Sequence, residues 1–353
     1  MKGLVLSGGK GKRLRPITHT SAKQLIPVAN KPILFYGIEM LAEAGIRDVG
    51  IVVGYTREEV METVGDGSRW GINVTYIHQP EPLGLAHAVL VSEDFLKDEP
   101  FIMYLGDNIL KQPLSELIEE FEEEKPDALI LLARVPNPGD FGVAELDGKR
   151  IVRLVEKPKV PPSDYALVGV YLFSPRIFEA ARNIKPSGRG ELEITDAIQW
   201  LIDNGFYVRA NVTSGWWKDT GKPDDLIEAN RLILEDIPRV IKGEVVNSEV
   251  RGRVQIGEGS LIKDSVIKGP VVIGDNVKVI NSFIGPFTSI YHDAVIEGTE
   301  IEDSVILKGV RIKDVPGRIE GSILGNETVL LRRDKKPRSL RLVLGDHSIM
   351  EFQ

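Results

Sequence analysis

The sequence predicts an α/β fold, namely a doubly wound, mixed but mostly parallel sheet followed by a three-sided left-handed parallel β-helix. Two observations predict it: apolar runs alternate with amphipathic stretches through the first two-thirds of the chain, and a 17-residue repeat follows from about Val245. A chain of 353 residues is long enough for two domains. We expect a first domain over residues 1–240, the repeat over 245–331 and a C-terminal tail over 332–353. The basic residues of 332–338 are expected to form a solvated turn.

Strand and helix patterns alternate through the first domain. Apolar runs of strand length are separated by stretches in which apolar residues recur at helical spacing. This alternation is typical of a sheet with helices on both faces, in which ligands bind at the carboxyl ends of the strands. The predicted strands are 3–7, 49–53, 74–78, 101–105, 128–134, 150–155, 165–173 and 207–212, and the predicted helices lie near 32–44, 57–64, 84–92, 113–124, 175–181, 193–204 and 223–235.

The second domain is predicted from three interleaved series of aliphatic residues. Within each series the residues lie 17 apart, and the three series share one phase. Short aliphatic segments broken by Gly, Asp and Asn at this period are typical of a parallel β-helix with three-sided coils. Leu324, again 17 residues after Leu307, predicts a further coil beyond an irregular stretch around Pro316. The series are Ile256, Ile273, Ile290 and Leu307; Ile262, Val279 and Ile296; and Ile267, Ile284 and Ile301.

Composition excludes several classes of protein. The formal net charge is −8, whereas binding to a nucleic-acid backbone needs a basic surface, so we expect no nucleic-acid partner. The chain has no cysteine, which rules out disulfides, thiolate zinc sites and a cysteine nucleophile. No apolar run reaches the roughly 20 residues of a membrane span or the roughly 7–15 residues of a secretory signal. We therefore expect a cytoplasmic protein without a membrane partner.

A basic, glycine-rich loop follows the first predicted strand directly. Residues 8–16 are GGKGKRLRP, in which glycines let backbone N–H groups approach an anion while Lys and Arg neutralise its charge. The loop lacks the Gly-Lys-Ser/Thr end of a Walker loop, and Leu14 stands where a dinucleotide fingerprint has its third glycine. It therefore predicts a phosphate site of another kind.

Asp107 is the first candidate for metal chemistry. It follows the apolar run 101–105 and Gly106, which places it at the carboxyl end of a predicted strand. An aspartate in that position often serves only as a turn or cap residue. Its pairing with the basic loop favours a ligand to a hard divalent cation beside substrate phosphates. Asp219, in a predicted loop after two tryptophans, is the second candidate.

The basic loop also begins an ordered set of motifs. LSGGKGKRLRP at residues 6–16 resembles the signature loop of the sugar nucleotidyltransferases, and KQLIPV at 23–28 resembles the lysine-containing segment that follows it in that family. The set is most similar to the thymidylyltransferase branch of the family, in its long form with an appended β-helix. The other motifs are QP at 79–80, GLA at 84–86, GDN at 106–108, FGV at 141–143, EKP at 156–158, RGELEITD at 189–196 and WKDTG at 217–221.

The resemblance implies a Rossmann-like nucleotidyltransferase domain and a group-transfer reaction. The implied enzyme joins dTTP to glucose 1-phosphate and releases pyrophosphate, through in-line attack of a sugar-phosphate oxygen on the α-phosphorus. Because two anions must meet, catalysis is chiefly charge neutralisation and positioning. The resemblance makes Asp107 and Asp219 the ligands of a Mg²⁺ cofactor.

The resemblance also assigns the remaining site residues. Arg13 is expected to stabilise the triphosphate, because its guanidinium can engage two oxygens of one phosphate, and Lys23 is expected to contact the same region. Lys157 is expected to hold the sugar phosphate with help from Arg189. The implied catalytic residues are Arg13, Lys23, Asp107 and Lys157; the nucleotide-binding residues are Leu6, Gly8, Gly9, Gly11, Arg13, Gln24, Gln79, Pro82, Gly84 and Asp107; the sugar-phosphate-binding residues are Gly142, Glu156, Lys157, Val168, Arg189 and Trp217.

Base recognition is expected at Gln79. A buried amide offers both a donor and an acceptor to a pyrimidine edge, and a site built in this way penalises the wrong base. Gly84 is expected to leave room for the base and to offer backbone contacts.

Sugar recognition is expected at Glu156, whose carboxylate can accept hydrogen bonds from hydroxyl groups, and at the backbone of Gly142 and Val168. Phe141 stands where related enzymes often have tyrosine, so a hydroxyl contact is lost there. Trp217 is equally well explained as a wall of the sugar pocket or as a core aromatic residue.

Two alternatives stay open. A thymine methyl group is worth only about 1–3 kcal/mol in a hydrophobic pocket, so a UTP-dependent or broad-specificity transferase is one alternative. The other is a bifunctional enzyme with an acyltransferase activity in the β-helix. Such a site usually needs a histidine, and the candidate is His292, for which a surface turn position is favoured. If the repeat has no activity of its own, we expect it to drive assembly of a homo-oligomer.

Overall fold

A computed structural model describes residues 1–332, 342 and 344–351. The chain forms two compact units. The first comprises Met1–Lys10, Ser21–Leu25 and Ile33–Asp219, and the second comprises Gly11–Thr20, Ile26–Pro32 and Thr220–Gln353. The domain limits of 1–240, 245–331 and 332–353 stay a prediction. Of the basic tail residues 332–338, all but Arg332 lie outside the described residues, so the solvated turn predicted there also stays a prediction.

Secondary-structure elements are numbered in chain order through both units. The strands up to residue 219 are β1 (Lys2–Ser7), β2 (Pro27–Val28), β3 (Lys31–Pro32), β4 (Asp48–Val53), β5 (Asn73–His78), β6 (Phe101–Leu105), β7 (Asn108–Leu110), β8 (Ala128–Arg134), β9 (Gly142–Asp147), β10 (Arg150–Glu156), β11 (Tyr165–Phe173), β12 (Val208–Val212) and β13 (Trp217–Asp219). The helices are α1 (Ile33–Glu43), α2 (Arg57–Val64), α3 (Leu85–Val91), α4 (Glu93–Leu96), α5 (Leu114–Glu124), α6 (Arg176–Asn183), α7 (Ile194–Asp203) and α8 (Pro223–Leu234). Every helix and strand predicted in this part of the chain is confirmed, with bounds within two residues of those predicted.

A nine-stranded sheet forms the centre of the first unit. Its strand order is β5-β4-β1-β6-β11-β8-β12-β10-β9. The four strands from β5 to β6 are mutually parallel, as predicted. β11 runs antiparallel to both β6 and β8. Between β8 and β11 the strands are joined by short, hairpin-type connections and not by crossover helices. Short connections of this kind produce antiparallel pairing.

The residues of β1 alternate between two hydrophobic cores, one on each face of the sheet. Leu4 and Leu6 belong to the core that α3, α6 and α7 complete, whereas Val5 belongs to the core that α1, α2 and α5 complete. Leu4 and Val5 are fully buried. Since successive side chains of a strand point to opposite faces, a continuous apolar run is what a strand covered on both sides requires. The predicted doubly wound arrangement is confirmed.

The second unit contains the β-helix, whose strands are all parallel. Three sheets run along it, β14-β17-β20-β23-β26-β29, β15-β18-β21-β24-β27-β30 and β16-β19-β22-β25-β28, one for each side of the predicted three-sided left-handed coil. The strands are β14 (Val240–Ile241), β15 (Glu244–Val246), β16 (Glu249–Arg251), β17 (Val254–Ile256), β18 (Leu261–Lys263), β19 (Val266–Lys268), β20 (Val271–Ile273), β21 (Lys278–Ile280), β22 (Phe283–Ile284), β23 (Thr288–Ile290), β24 (Val295–Glu297), β25 (Glu300–Glu302), β26 (Val305–Ile306), β27 (Arg311–Lys313), β28 (Arg318–Glu320), β29 (Ile323–Leu324) and β30 (Val329–Leu331).

The predicted repeat is confirmed except at its fourth coil. Ile262 pairs with Val279 and Val279 with Ile296. The first three residues of each of the other two series pair in the same way. The prediction that Leu307 continues the first series is wrong, because Ile290 pairs with Ile306, and Ile306 with Leu324. The coil is one residue short at this corner, and a longer stretch around Pro316 restores the stacking afterwards. The further coil predicted from Leu324 is present.

Hydroxyl groups bind backbone N–H groups along one corner of the β-helix. Ser248 Oγ accepts a hydrogen bond from Ser265 N at 3.0 Å, Ser265 Oγ accepts from Ser282 N at 3.1 Å, and Ser282 Oγ accepts from Thr299 N at 3.2 Å. Each donor lies 17 residues after its acceptor, so three successive coils repeat the same bond. Because an unsatisfied buried N–H group costs about 1–3 kcal/mol, this hydroxyl ladder stabilises the corner.

Within the described part of the chain, the helices are all too short or too polar to cross a membrane.

Replacing Ser265 by alanine should destabilise the β-helix. The residue is 4% exposed, and its loss leaves Ser282 N without its acceptor. We expect the free energy of unfolding to fall by about 1–3 kcal/mol, measured by urea denaturation followed by far-UV circular dichroism. Ser322→Ala is the matched control. Among the described residues, Ser322 Oγ donates to Glu320 O and accepts no backbone N–H, so its loss should cost less than about 0.5 kcal/mol. Equal losses in the two variants would contradict the ladder.

Candidate functional site

The carboxyl ends of β1, β5 and β6 meet at one edge of the sheet. β1 lies between β4 and β6 and is parallel to both, so the strand order reverses direction at β1. Such a switch point is where parallel sheets bind ligands. The glycine loop leaves β1 here, Asp107 follows β6 and Gln79 follows β5. Gly106 N donates to Leu6 O at 2.9 Å, which fixes the backbone just before Asp107.

Lys23 brings the two predicted metal ligands together. Its Nζ donates to Asp107 Oδ2 at 2.5 Å and lies 3.8 Å from Asp219 Oδ1, and only 6% of its side chain is exposed. Asp219 reaches this position because β13 pairs antiparallel with β7, which places it opposite Asn108. The prediction that Asp219 lies in a loop is therefore wrong, since it ends a strand. A three-residue strand is too short to produce a recognisable periodicity in the sequence.

Two opposing effects act on the pKa of Asp107. Burial acts to raise it, but the Lys23 ammonium and the hydrogen bonds from Lys23 and Asn108 outweigh burial, so the pKa lies below the ordinary value for aspartate. Asn108 Nδ2 donates to Asp107 Oδ1 at 2.8 Å, which engages the second oxygen of the carboxylate. The carboxylate is therefore ionised at neutral pH and held in one orientation.

A divalent cation fits this set of groups. A hard cation such as Mg²⁺ is usually held by one or two carboxylates together with substrate phosphates. Asp107 and Asp219 supply two carboxylates, and the Lys23 ammonium shows that the space beside both of them suits a positive charge. Among the residues that the structure describes, no cluster of three or more His, Asp or Glu side chains forms a metal site. A cation held by Asp107 and Asp219 would complete its coordination with substrate oxygens or water molecules.

Two buried oxygens beside the glycine turn have no hydrogen-bond partner in the described structure. They are Ser7 Oγ at the end of β1 and Gln24 Oε1 next to Lys23 in the chain. A Cβ atom placed on Gly9 would lie 3.7 Å from Gln24 Nε2, so this amide faces the turn. Since buried polar groups are nearly always paired, two oxygens without a partner mark a place that a ligand or a water molecule can complete. Leu6, also predicted to contact the nucleotide, is buried just before Ser7.

The remainder of the loop belongs to the second unit. Gly11 has a φ of 58°, which favours glycine, and it precedes a single 3-10 turn over Lys12–Leu14. Thr18 Oγ1 donates to Gly11 O at 2.7 Å and holds the turn in place. Arg13 is exposed on this turn. Its role at the α-phosphate stays a prediction.

Gln79 and Gly84 form a compact pair. Gln79 is 7% exposed, and its Nε2 donates to Gly84 O at 3.2 Å. Gly84 has a φ of 106°, and a Cβ atom there would lie 2.3 Å from Leu192 O, so no other residue can replace it without moving the backbone. Pro82 is exposed between them. Sequence reasoning chose these residues, but it did not indicate that the amide nitrogen is already bonded.

The predicted sugar-binding residues gather around Glu156. Its Oε2 accepts from Thr195 Oγ1 at 3.1 Å, and Gly142 lies opposite it on β9. A Cβ atom on Gly142 would lie 2.6 Å from Thr195 Cγ2, which explains the glycine. Lys157 has a φ of 41°, a costly conformation for a lysine, and such strain concentrates at functional sites. Thr195 carried no signal of its own in the sequence beyond its place in the 189–196 motif.

Arg189 is held by carboxylates. Its Nη2 contacts Glu156 Oε1 at 2.9 Å and Glu193 Oε1 at 2.8 Å, and it lies 3.6 Å from Glu191 Oε2. Because three carboxylates surround one guanidinium, this part of the site has a net negative charge. The contact with Arg189 also orients the Glu156 carboxylate. Its predicted contact with the sugar phosphate stays a prediction.

Trp217 connects the residues around Asp107 with those around Glu156. Its Nε1 donates to Asn108 Oδ1 at 2.5 Å, and its ring meets that of Phe141 edge-on with centroids 5.3 Å apart. The side chain also packs against the core, so both explanations offered for it hold in part. Val168 is fully buried, which leaves only its backbone for a ligand, and the next residue, Gly169, approaches Asn108 Oδ1 so closely that a Cβ atom would lie 2.9 Å away. Asn108 is the residue that sequence reasoning missed.

His292 has a structural role in the β-helix. Its Nδ1 accepts a hydrogen bond from Asp275 N at 2.8 Å, 17 residues earlier. Asp275 Oδ1 accepts from Glu258 N at 2.8 Å in the same way one coil before, and Asn326 Oδ1 accepts from Lys308 N at 3.1 Å further along. His292 is thus one member of a series of turn side chains that bind the preceding coil.

Comparisons with known proteins show the family of this chain. The family description "Nucleotidyl transferase" matches residues 2–236, and the chain belongs to that family. A Streptomyces griseus protein named glucose-1-phosphate thymidylyltransferase is 55% identical over 350 residues, which is 99% of this chain and 98% of the relative. A Streptomyces antibioticus protein of the same name is 52% identical over 356 residues, the whole of both chains.

A solved structure shares the fold of the first part of the chain. It comes from Bacillus anthracis, is described as a glucose-1-phosphate thymidylyltransferase in complex with sucrose, and is 38% identical to this chain. The match covers 68% of this chain and 97% of that one, with a TM-score of 0.64.

Replacing Lys23 by methionine should make the protein more responsive to Mg²⁺. The change removes an ammonium group from two carboxylates, so the variant should melt at a lower temperature than the wild type without metal. Mg²⁺ can then bind without competing with the ammonium, and we expect it to raise the melting temperature of the variant by at least about 2 °C more than that of the wild type. Thermal melts with and without Mg²⁺ measure this difference. The double variant Lys23→Met with Asp107→Asn is the control and should lose the extra shift. An extra shift that survives in the double variant would place the metal elsewhere.

Proposed function

We propose that this protein transfers a thymidylyl group from dTTP to glucose 1-phosphate in the presence of Mg²⁺, giving dTDP-glucose and pyrophosphate. The observation that carries the proposal is the cluster of Lys23, Asp107 and Asp219 at the switch point of the sheet, next to the unpartnered oxygens of Ser7 and Gln24. A nucleotide with its bound cation would satisfy all of these groups at once.

The relatives favour this pair of substrates over others. The two Streptomyces relatives are named for glucose 1-phosphate and thymidylyl transfer, and each matches essentially the whole chain, including the β-helix. Identity of more than half of the residues over essentially the full length supports the same architecture in this chain.

The proposed reaction needs charge neutralisation more than covalent chemistry. Asp107 and Asp219 would hold Mg²⁺, which supplies positive charge to the phosphates when bound. Lys23 neutralises the two carboxylates in this structure. Lys23 is proposed to contact a phosphate oxygen once a cation has bound the carboxylates. Arg13 is proposed to engage the triphosphate with its guanidinium, and Asn108 holds Asp107 in orientation through the bond to Oδ1.

The sugar phosphate is proposed to bind at Glu156 and Lys157. Glu156 is oriented by Thr195 and Arg189, so its oxygens are fixed before the sugar arrives. The Lys157 ammonium lies 3.8 Å from Glu156 Oε1. The Lys157 backbone has a positive φ, which β-strand geometry alone does not favour. A phosphate oxygen held by Lys157 would be the nucleophile at the α-phosphorus, and pyrophosphate would leave on the opposite side.

We further propose that the protein works in the cytoplasm, where nucleoside triphosphates are made, and as a homo-oligomer whose contacts involve the β-helix. A second activity in the β-helix is not favoured by any observation. The bond from Asp275 N already explains the presence of His292. Incubation with acetyl-CoA and aminosugar phosphates should therefore give no acylated product.

Pyrophosphate release from glucose 1-phosphate with dTTP, UTP, ATP or GTP tests the proposal. We expect turnover with dTTP, slower turnover with UTP because the two bases differ by one methyl group, and little with either purine nucleotide. A preference for UTP or a purine nucleotide would overturn the choice of base. No pyrophosphate with any of them would overturn the transferase itself.

Replacing Asp107 by asparagine should lower kcat at least about 100-fold, because a direct carboxylate ligand is lost. The amide has the same shape, so the circular dichroism spectrum should not change. Mg²⁺-dependent pyrophosphate release is the measurement. Asp98→Asn, which makes the same chemical change at an exposed position, should keep wild-type activity. Near-normal turnover in Asp107→Asn would rule out its role at the metal.

A further inference from the structure

The side-chain amide of Gln79 is oriented by two acceptors. Its Nε2 donates to Gly84 O at 3.2 Å and lies 3.0 Å from His87 Nδ1. A carbonyl oxygen can only accept, so the atom facing Gly84 must be the amide nitrogen. The same nitrogen then donates its second hydrogen to His87. Both N–H groups of the amide are therefore bonded within the protein.

His87 stands in the first turn of α3, which begins directly after Gly84. An N–H group can donate to Nδ1 only when that nitrogen carries no proton, so this hydrogen bond requires the tautomer of His87 that carries its proton on Nε2. Gly84 alone would hold only one of the two N–H groups. His87 supplies the second acceptor, and the pair of acceptors opposes the flipped amide, in which an oxygen would face Gly84 O and His87 Nδ1.

The oxygen of the same amide faces the glycine turn after β1. A Cβ atom placed on Gly8 would lie 3.1 Å from Gln79 Oε1, so this oxygen lies beside a backbone with no side chain to cover it. Within the part of the chain that the structure describes, Oε1 makes no hydrogen bond of its own. Gln79 therefore presents an acceptor, and not a donor, to whatever occupies this place.

An acceptor in this position selects among pyrimidine bases. Thymine and uracil carry a hydrogen on N3, which can donate to Oε1, whereas cytosine has an unprotonated N3 that the oxygen would repel. We propose that His87 is a positioning residue for base selection, because it keeps the oxygen of the Gln79 amide turned toward the base. This inference rests on the proposed function, since it requires the nucleotide base to lie beside Gln79.

Substitution of His87 separates this role from a purely structural one. His87→Leu keeps the helix and removes the acceptor, so the amide can flip and present a donor. We expect the KM for dTTP to rise about 5- to 10-fold with kcat within twofold of wild type, and the ratio of the dCTP inhibition constant to the dTTP KM to fall at least about 5-fold. His87→Asn places an oxygen near the position of Nδ1 and should restore both values to within about twofold.

His78→Leu is the matched control, because His78 is an exposed histidine next to Gln79 in the chain and makes no contact with its amide among the described residues. It should leave both values unchanged. If His87→Leu melts below the assay temperature, His87→Ala makes the same comparison. The role of His87 would be overturned if His87→Leu left the KM for dTTP and the dCTP ratio unchanged, or if its loss were confined to kcat. It would also be overturned if His87→Asn were as impaired as His87→Leu. Failure of the proposed function is distinct, since the wild type would then release no pyrophosphate from dTTP and glucose 1-phosphate.

Discussion

The ion pair between Lys23 and Asp107 is the interaction on which the site depends. The Lys23 side chain is only 6% exposed, and charges removed from water in this way are costly unless they are paired. The pair joins segments that are far apart in the sequence, and Asp219 adds a third through the pairing of β13 with β7. One ammonium group thus holds close together the two carboxylates that we propose as metal ligands.

Much of the fold was predictable because its patterns are long. The strand at Phe101–Leu105 and the helix at Arg57–Val64 have the predicted bounds, since each has the apolar spacing of its type over its whole length. Three-residue strands such as Trp217–Asp219 lack that information. The slip at Leu307 has the same origin, because a fixed 17-residue period carries no sign of a coil that is one residue shorter.

The sequence predicts candidate residues for the site, but it does not predict the hydrogen bonds between them. Strand-end placement and motif order brought Asp107 and Gln79 into consideration, but the sequence does not show that the Gln79 amide is bonded to His87, or that Asn108 joins Asp107 to Trp217. Such bonds depend on side-chain orientations that only the packed structure decides. His292 shows the opposite case: a residue suited to catalysis is explained by a backbone bond to the preceding coil.

In the proposed reaction, a phosphate oxygen of the sugar phosphate attacks the α-phosphorus of dTTP at this site. The most direct measurement follows ¹⁸O from glucose 1-phosphate labelled in its phosphate oxygens, by mass spectrometry of both products. If this reaction occurs, all of the label appears in dTDP-glucose and none in pyrophosphate. Label in pyrophosphate, or unlabelled sugar nucleotide, would contradict it.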